Sequence, residues 1–184
     1  MNHCNYLAAP AMVRTQKFLC ALANGVTILN SDFIDTCVTS STVPEPKDFI
    51  LVDKAAEKRF GVVLADAVSR AKANKRRLLA GVAVFCTENI PNGGETYKSI
   101  VESNGGDFAV YKGRRGAISQ REEGDFEEVY LLTGMSKKEK GLWPGFEKMA
   151  REAGHRPRIC LTDWLLDTAM AQEFKWRDSY LADK

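Results

Sequence analysis

One short pattern occurs twice in this chain. Ile28-Leu29-Asn30-Ser31-Asp32-Phe33-Ile34-Asp35-Thr36 is echoed by Ile159-Cys160-Leu161-Thr162-Asp163-Trp164-Leu165-Leu166-Asp167-Thr168. Each reads as a buried strand, a hydroxyl residue, Asp, an aromatic and an aliphatic residue, then Asp-Thr; the second copy has one extra residue before Asp-Thr. Upstream, both copies have a helix pattern stopped by glycine, at Gly25 and Gly154, and a strand pattern before that, over Tyr6 to Ala9 and Val129 to Leu132. An internal repeat constrains architecture more than any local propensity, because each unit must build the same supersecondary structure.

The remaining elements follow from periodicity and breakers. A helix is expected over Met12 to Asn24, with Thr15, Phe18, Leu19 and Leu22 at helical spacing. Ser31-Asp32 opens a short helix from Phe33 to Val38. A helix-rich stretch runs from about Asp53 to Asn74, interrupted at Gly61, with Leu64, Ala67, Val68 and Ala71 on one face. Leu78 to Phe85 is apolar enough for a strand buried on both faces. Glu95 to Asn104 reads as a helix stopped by Gly105-Gly106, and Phe108 to Tyr111 as a strand. Lys112 to Asp125 reads as a polar loop, Glu127 to Leu132 as a strand and Phe146 to Ala153 as a helix. Arg158 to Leu161 is a further strand, and a last helix starts at Thr162. Alternating strands and helices imply an α/β fold with a largely parallel sheet.

The copies are unequal. A strand-helix-strand opening, from about Arg77 to Tyr111, precedes the matching portion of the second, whereas nothing before Asn5 matches it in the first. The first repeat is therefore expected to lack an opening of roughly 40–50 residues, judged from its partner. The expected division is residues 1–50 for the later part of the first repeat, 51–76 for a helical linker and 77–184 for the second repeat.

Composition excludes several function classes. The 26 Lys and Arg against 24 Asp and Glu leave a formal charge of +2, which argues against nucleic-acid binding by bulk charge. No apolar run reaches the roughly 18 residues a membrane span needs, so no membrane partner is expected. Cys4, Cys20, Cys37, Cys86 and Cys160 include no CxxC pair, and His3 and His155 are the only histidines. Reduced, mostly buried thiols and no metal or other cofactor are expected. There is no P-loop, GxSxG or HExxH motif, and no catalytic constellation can be named, so an enzyme is not expected. Phe33, Trp143 and Trp164 read as packing residues.

These marks together resemble the BRCT repeat, a small α/β module with a four-stranded parallel sheet flanked by helices. Asp163-Trp164 and Gly105-Gly106 are two of that family's recurring features. The stretch Val13 to Ala23, followed by Phe60-Gly61 and Leu64 to Ala71, resembles the tandem BRCT pair of DNA-damage checkpoint mediator proteins. It is also similar to the C-terminal pair of fungal multi-BRCT genome-maintenance scaffolds. The resemblance implies a non-catalytic, nuclear phosphoserine-peptide reader, its partner a damage-phosphorylated histone C-terminal tail. In such pairs a lysine at the start of the first repeat's second helix holds the phosphate, and Lys17 matches it. Arg14 matches the arginine that contacts the peptide backbone or terminal carboxylate, and Thr15, between them, is a further candidate. The family's phosphate-binding Ser/Thr-Gly would fall in the opening that the first copy lacks.

The residues themselves leave alternatives open. Arg14 and Lys17, three apart, are expected to share a helix face near free N–H groups, which makes either an anion site or ordinary solvated charge. A phosphate-independent interaction module is the main alternative. A weak DNA contact through Lys112-Gly113-Arg114-Arg115 is another. Lys72 to Arg77 reads as a solvated helix end. Thr133-Gly134 imitates a phosphate-binding Ser/Thr-Gly but follows the third strand of its repeat, and carries no assigned role.

Overall fold

A computed structural model describes residues 4–113, 118 and 127–182. The first half runs β1 (Tyr6–Ala9), α1 (Gln16–Ala23), β2 (Thr27–Asn30) and α2 (Asp32–Thr39), then a 3-10 turn at Pro46–Phe49. Two linker helices follow, α3 (Lys54–Phe60) and α4 (Leu64–Asn74). The second half runs β3 (Ala83–Thr87), α5 (Gly94–Ser103), β4 (Asp107–Tyr111), β5 (Glu128–Thr133), α6 (Lys137–Lys140), α7 (Trp143–Glu152), β6 (Arg156–Leu161) and α8 (Asp163–Ala171). A second 3-10 turn spans Asp178–Tyr180.

All strand pairs in the two sheets are parallel. β1 pairs with β2, Tyr6 opposite Thr27; the second sheet has the order β4-β3-β5-β6, with Ala83 opposite Val129 and Glu128 opposite Arg156. The β1–β2 pair corresponds to β5–β6, so among the described residues the second repeat has all four expected strands and the first has two of them.

The duplication extends past the motif that reveals it. Leu29 and Cys160 occupy the same place in the two copies. Each forms an isolated antiparallel bridge, to Ile50 and Leu181 respectively. Leu51 N–H donates to Ile28 O at 3.0 Å, and Ala182 N–H to Ile159 O at 2.9 Å. Each copy thus closes with a 3-10 turn that returns the chain to its own second matching strand.

Side chains alternate across the second sheet with period two. Val84, Cys86, Tyr130, Leu132 and Cys160 face one core, and Phe85, Val129, Leu131 and Ile159 face another beneath α7. The first core is shared by both repeats. It joins Phe18, Leu19 and Leu22 of α1 to Leu64 and Ala67 of α4, Tyr97 and Ile100 of α5, and Trp164, Leu165 and Ala169 of α8. Trp164 stacks on Tyr130 with ring centroids 4.2 Å apart, while Phe33 meets Phe49 edge-on at 5.5 Å. From α4, Arg70 Nε donates to Ala171 O at 2.8 Å and Asn74 Nδ2 to Gln172 O at 2.9 Å, which satisfies carbonyls at the end of α8.

Three expectations are corrected. The helix expected from Met12 begins only at Gln16: Thr15 is its N-cap in extended conformation, its hydroxyl accepting from Phe18 N–H at 3.4 Å. The strand expected from Leu78 begins at Ala83, because Gly81 takes a left-handed turn (φ +77) and Leu79 is drawn off to donate its N–H to Asn104 O. Cys86 and Cys160 are the only buried thiols among the described residues, and none of the five cysteines forms a disulfide there. Burial, with Glu95 nearby, pushes the Cys86 thiol up to about 11.

Candidate functional site

The segment before α1 is pinned by the linker. Asp53 accepts from Ala56 N–H at 3.0 Å as the N-cap of α3, and its other oxygen accepts from Met12 N–H at 3.1 Å. These backbone donors hold the Asp53 carboxyl below the usual carboxylate range. Met12 is fully buried, so Val13 and Arg14 leave that anchor along a fixed path.

Arg14 lies one residue before the N-cap and shares no helix face with Lys17, contrary to expectation. Its side chain crosses to the second repeat. Nη1 contacts Asp163 Oδ1 at 2.9 Å and Asp167 Oδ1 at 2.8 Å, one helical turn apart on α8. The second oxygen of Asp167 accepts from Tyr180 Oη at 2.9 Å. Burial, with the Asp167 carboxylate beside it, raises the Tyr180 hydroxyl to about 12. The guanidinium also lies 5.6 Å from the Phe60 ring centroid, and Arg59 sits 4.4 Å from the same ring. Both ion pairs use Nη1, so Nη2 and Nε have no acceptor among the described residues.

Lys17 is exposed on the second residue of α1 and makes no ion pair among the described residues. The first turn of α1 holds no acidic side chain. Thr15 uses an oxygen lone pair for the helix cap yet keeps its own O–H as a donor. Arg14, Thr15 and Lys17 therefore meet at one helix start, with Arg14 directed across the repeat boundary and Lys17 toward solvent.

The carboxylate partners of Arg14 are not apparent from the sequence around it. Asp163 and Asp167 lie 149 and 153 residues from Arg14, and their i, i+4 spacing was the available signal. Of the basic loop, Lys112 pairs with Glu88 at 3.6 Å, while Arg114 and Arg115 lie outside the described residues. Among the described residues no His, Cys, Asp and Glu cluster could hold a metal ion.

Comparison with known proteins agrees with this architecture. The sequence profile of the Regulator of Ty1 transposition protein 107 BRCT domain matches residues 1–51. BRCT-containing protein 1 of Schizosaccharomyces pombe is 30% identical over 188 residues, which span 96% of this chain and 20% of that protein. Mediator of DNA damage checkpoint protein 1 of Homo sapiens is 33% identical over 104 residues, 56% of this chain and 5% of that protein. The chain thus spans one fifth or less of these two relatives. The solved S. pombe Brc1 BRCT5-BRCT6 domains superpose with a TM-score of 0.73 at 27% identity, covering 98% of this chain and 83% of that one. A structure of Rtt107p in complex with a phosphorylated histone shares the fold, with a TM-score of 0.63 at 16% identity over 97% of this chain and 75% of that one. With the duplicated strand-helix pattern, the shared core and these likenesses together, the chain belongs to the BRCT family, as a tandem pair of the kind found in DNA damage response proteins.

Proposed function

We propose that this BRCT pair is a non-catalytic reader of phosphoserine peptides in the nucleus, its partner a phosphorylated histone tail. Residues 1–50 act as the C-terminal part of the first repeat and 77–184 as the second, with 51–76 as the helical linker. The observation that carries this reading is the disposition of two cations at the start of α1. Lys17 is an exposed ammonium and Arg14 is anchored through one nitrogen; the Lys17 head and the other Arg14 nitrogens have no acidic partner among the described residues. A phosphoserine carries about −1.5 to −2 charges and takes charge-assisted bonds from such groups. Lys17 meets the phosphate, the Thr15 hydroxyl adds a donor, and Arg14 offers Nη2 and Nε to the peptide backbone or terminal carboxylate. The solved complex of Rtt107p with a phosphorylated histone, a protein of the same fold, supports a ligand of this class.

The test is a titration of the protein with a phosphoserine peptide ending in a free carboxylate, its unphosphorylated twin and its C-terminal amide. The phosphopeptide acid should bind at least tenfold more tightly than either. Equal affinity for the first two rejects the reading.

A second reading, a phosphate-independent interaction module, has its own observation. A cleft of about 320 Å³ between β2 and α4 is lined by Ile28, Ile50, Val52, Val63, Leu64 and Val68. Capture of a partner that persists after phosphatase treatment, and is lost on Val52→Asp, would favour it.

A further inference from the structure

At the C-terminal ends of the second sheet's two central strands, three donors converge on one carboxylate. Thr87, the last residue of β3, donates its hydroxyl to Glu139 Oε1 at 2.7 Å. Gly134, directly after β5, donates its N–H to the same oxygen at 2.8 Å. The Ser136 hydroxyl donates to Oε2 at 2.7 Å. Glu139 is 3% exposed, and Thr87 and Thr133 are buried beside it. Trp143 walls the site, its Nε1 donating to Thr133 Oγ1 at 3.0 Å.

A buried carboxylate is costly unless its charge is met by donors. Burial alone would raise its pKa, yet the hydroxyls of Thr87 and Ser136 and the Gly134 amide outweigh it and hold Glu139 below the ordinary value. The surroundings are thus built for negative charge. The crevice beyond the carboxyl ends of parallel strands is where α/β sheets commonly take their ligands. Here a side chain of the same chain fills it. The fit is close: a Cβ on Gly134 would stand 2.6 Å from Glu139 Oε2. Because Glu139 turns inward, α6 leaves Lys137, Lys138 and Lys140 exposed at the rim.

We propose that this cradle is an oxyanion site of phosphate class whose resident anion is the protein's own Glu139, so that the second repeat is closed to phosphate ligands. Of the Thr133-Gly134 pair only the Gly134 amide serves this site; the Thr133 hydroxyl donates to Gly134 O at 3.0 Å, and Thr87 supplies the threonine hydroxyl instead. This inference is independent of the role given to Lys17.

The experiment compares wild type, Glu139→Ala and Glu139→Gln by thermal melting and by amide NMR. Each is measured in inorganic phosphate and in chloride at equal ionic strength, near pH 7. Removing the carboxylate vacates the donors, so Glu139→Ala should bind phosphate at least tenfold more tightly than wild type. Its Tm should rise selectively in phosphate, and the Gly134 amide resonance should shift. Glu139→Gln still fills the space and should respond no more than wild type. The Glu139→Ala response should survive Lys17→Glu in the same chain, which separates it from the first repeat. A phosphate response of Glu139→Ala equal to that of wild type overturns the proposal. So does a Glu139→Ala protein that is unfolded in chloride and stays unfolded in phosphate.

Discussion

Arg14 and Asp167 meet at 2.8 Å although 153 residues separate them, and their contact is a direct polar tie between the two repeats. The tie is asymmetric, since Asp167 also accepts from Tyr180 while Asp163 is half exposed.

That asymmetry predicts unequal costs. Asp167→Ala removes an ion pair and strands the Tyr180 hydroxyl, so it should cost about 1–2 kcal/mol. Asp163→Ala removes a more exposed pair and should cost less than about 1 kcal/mol. Urea denaturation of both variants checks the order; equal losses would mean that Tyr180 contributes nothing.

Lys17→Glu separates recognition from folding. Lys17 is exposed and without an ion pair among the described residues, and an acid near a helix N-terminus is favoured by the dipole. Tm should stay level or rise slightly while phosphopeptide affinity falls at least tenfold, or about 1.4 kcal/mol. A large fall in Tm would make Lys17 structural.

Gly105 should tolerate no side chain. Its φ is +81, and a Cβ would run into the Arg76 carbonyl oxygen. Gly105→Ala should therefore cost about 2 kcal/mol or more, read as a lower denaturation midpoint.

Acid should weaken the fold partly through Glu139. Its folded pKa lies below its unfolded value of about 4.3. The stabilisation it gives is present above that unfolded value and is lost as pH falls through the folded one. Glu139→Gln should thus be less stable than wild type at pH 7, and the gap should narrow as the pH is lowered from 7 to below about 4.3. Thermal melts across that range measure it, and a constant gap would contradict the charge-based account.

Much of the fold was legible because the residues that carry it are local. The glycines at 25, 105 and 154 all take positive φ after a helix, and the apolar strands lie where their runs predict, apart from the late start of β3 at Ala83. The start of α1 was misplaced because apolar spacing reaches back to Met12. Thr15, a good cap residue, marked the true start. The capping-box sequence Ser136-Lys137-Lys138-Glu139 is the one mark of α6, since four polar residues carry no apolar periodicity. The bridges Leu29–Ile50 and Cys160–Leu181 carry little sequence likeness, because backbone atoms make them. Arg14's partners were hidden by distance along the chain: which helix lies opposite a cation is decided by packing of the shared core.

That shared core has a consequence for divisibility. α1 belongs to the first copy by descent, but its apolar face is covered by α4, α5 and α8. Cutting the chain between α4 and β3 would uncover Phe18, Leu19 and Leu22 on one fragment and Tyr97, Ile100 and Trp164 on the other. The gene's unit of duplication is therefore smaller than the protein's unit of cooperativity. Heating should melt both copies in a single calorimetric transition, and neither half should survive proteolytic excision as a soluble module.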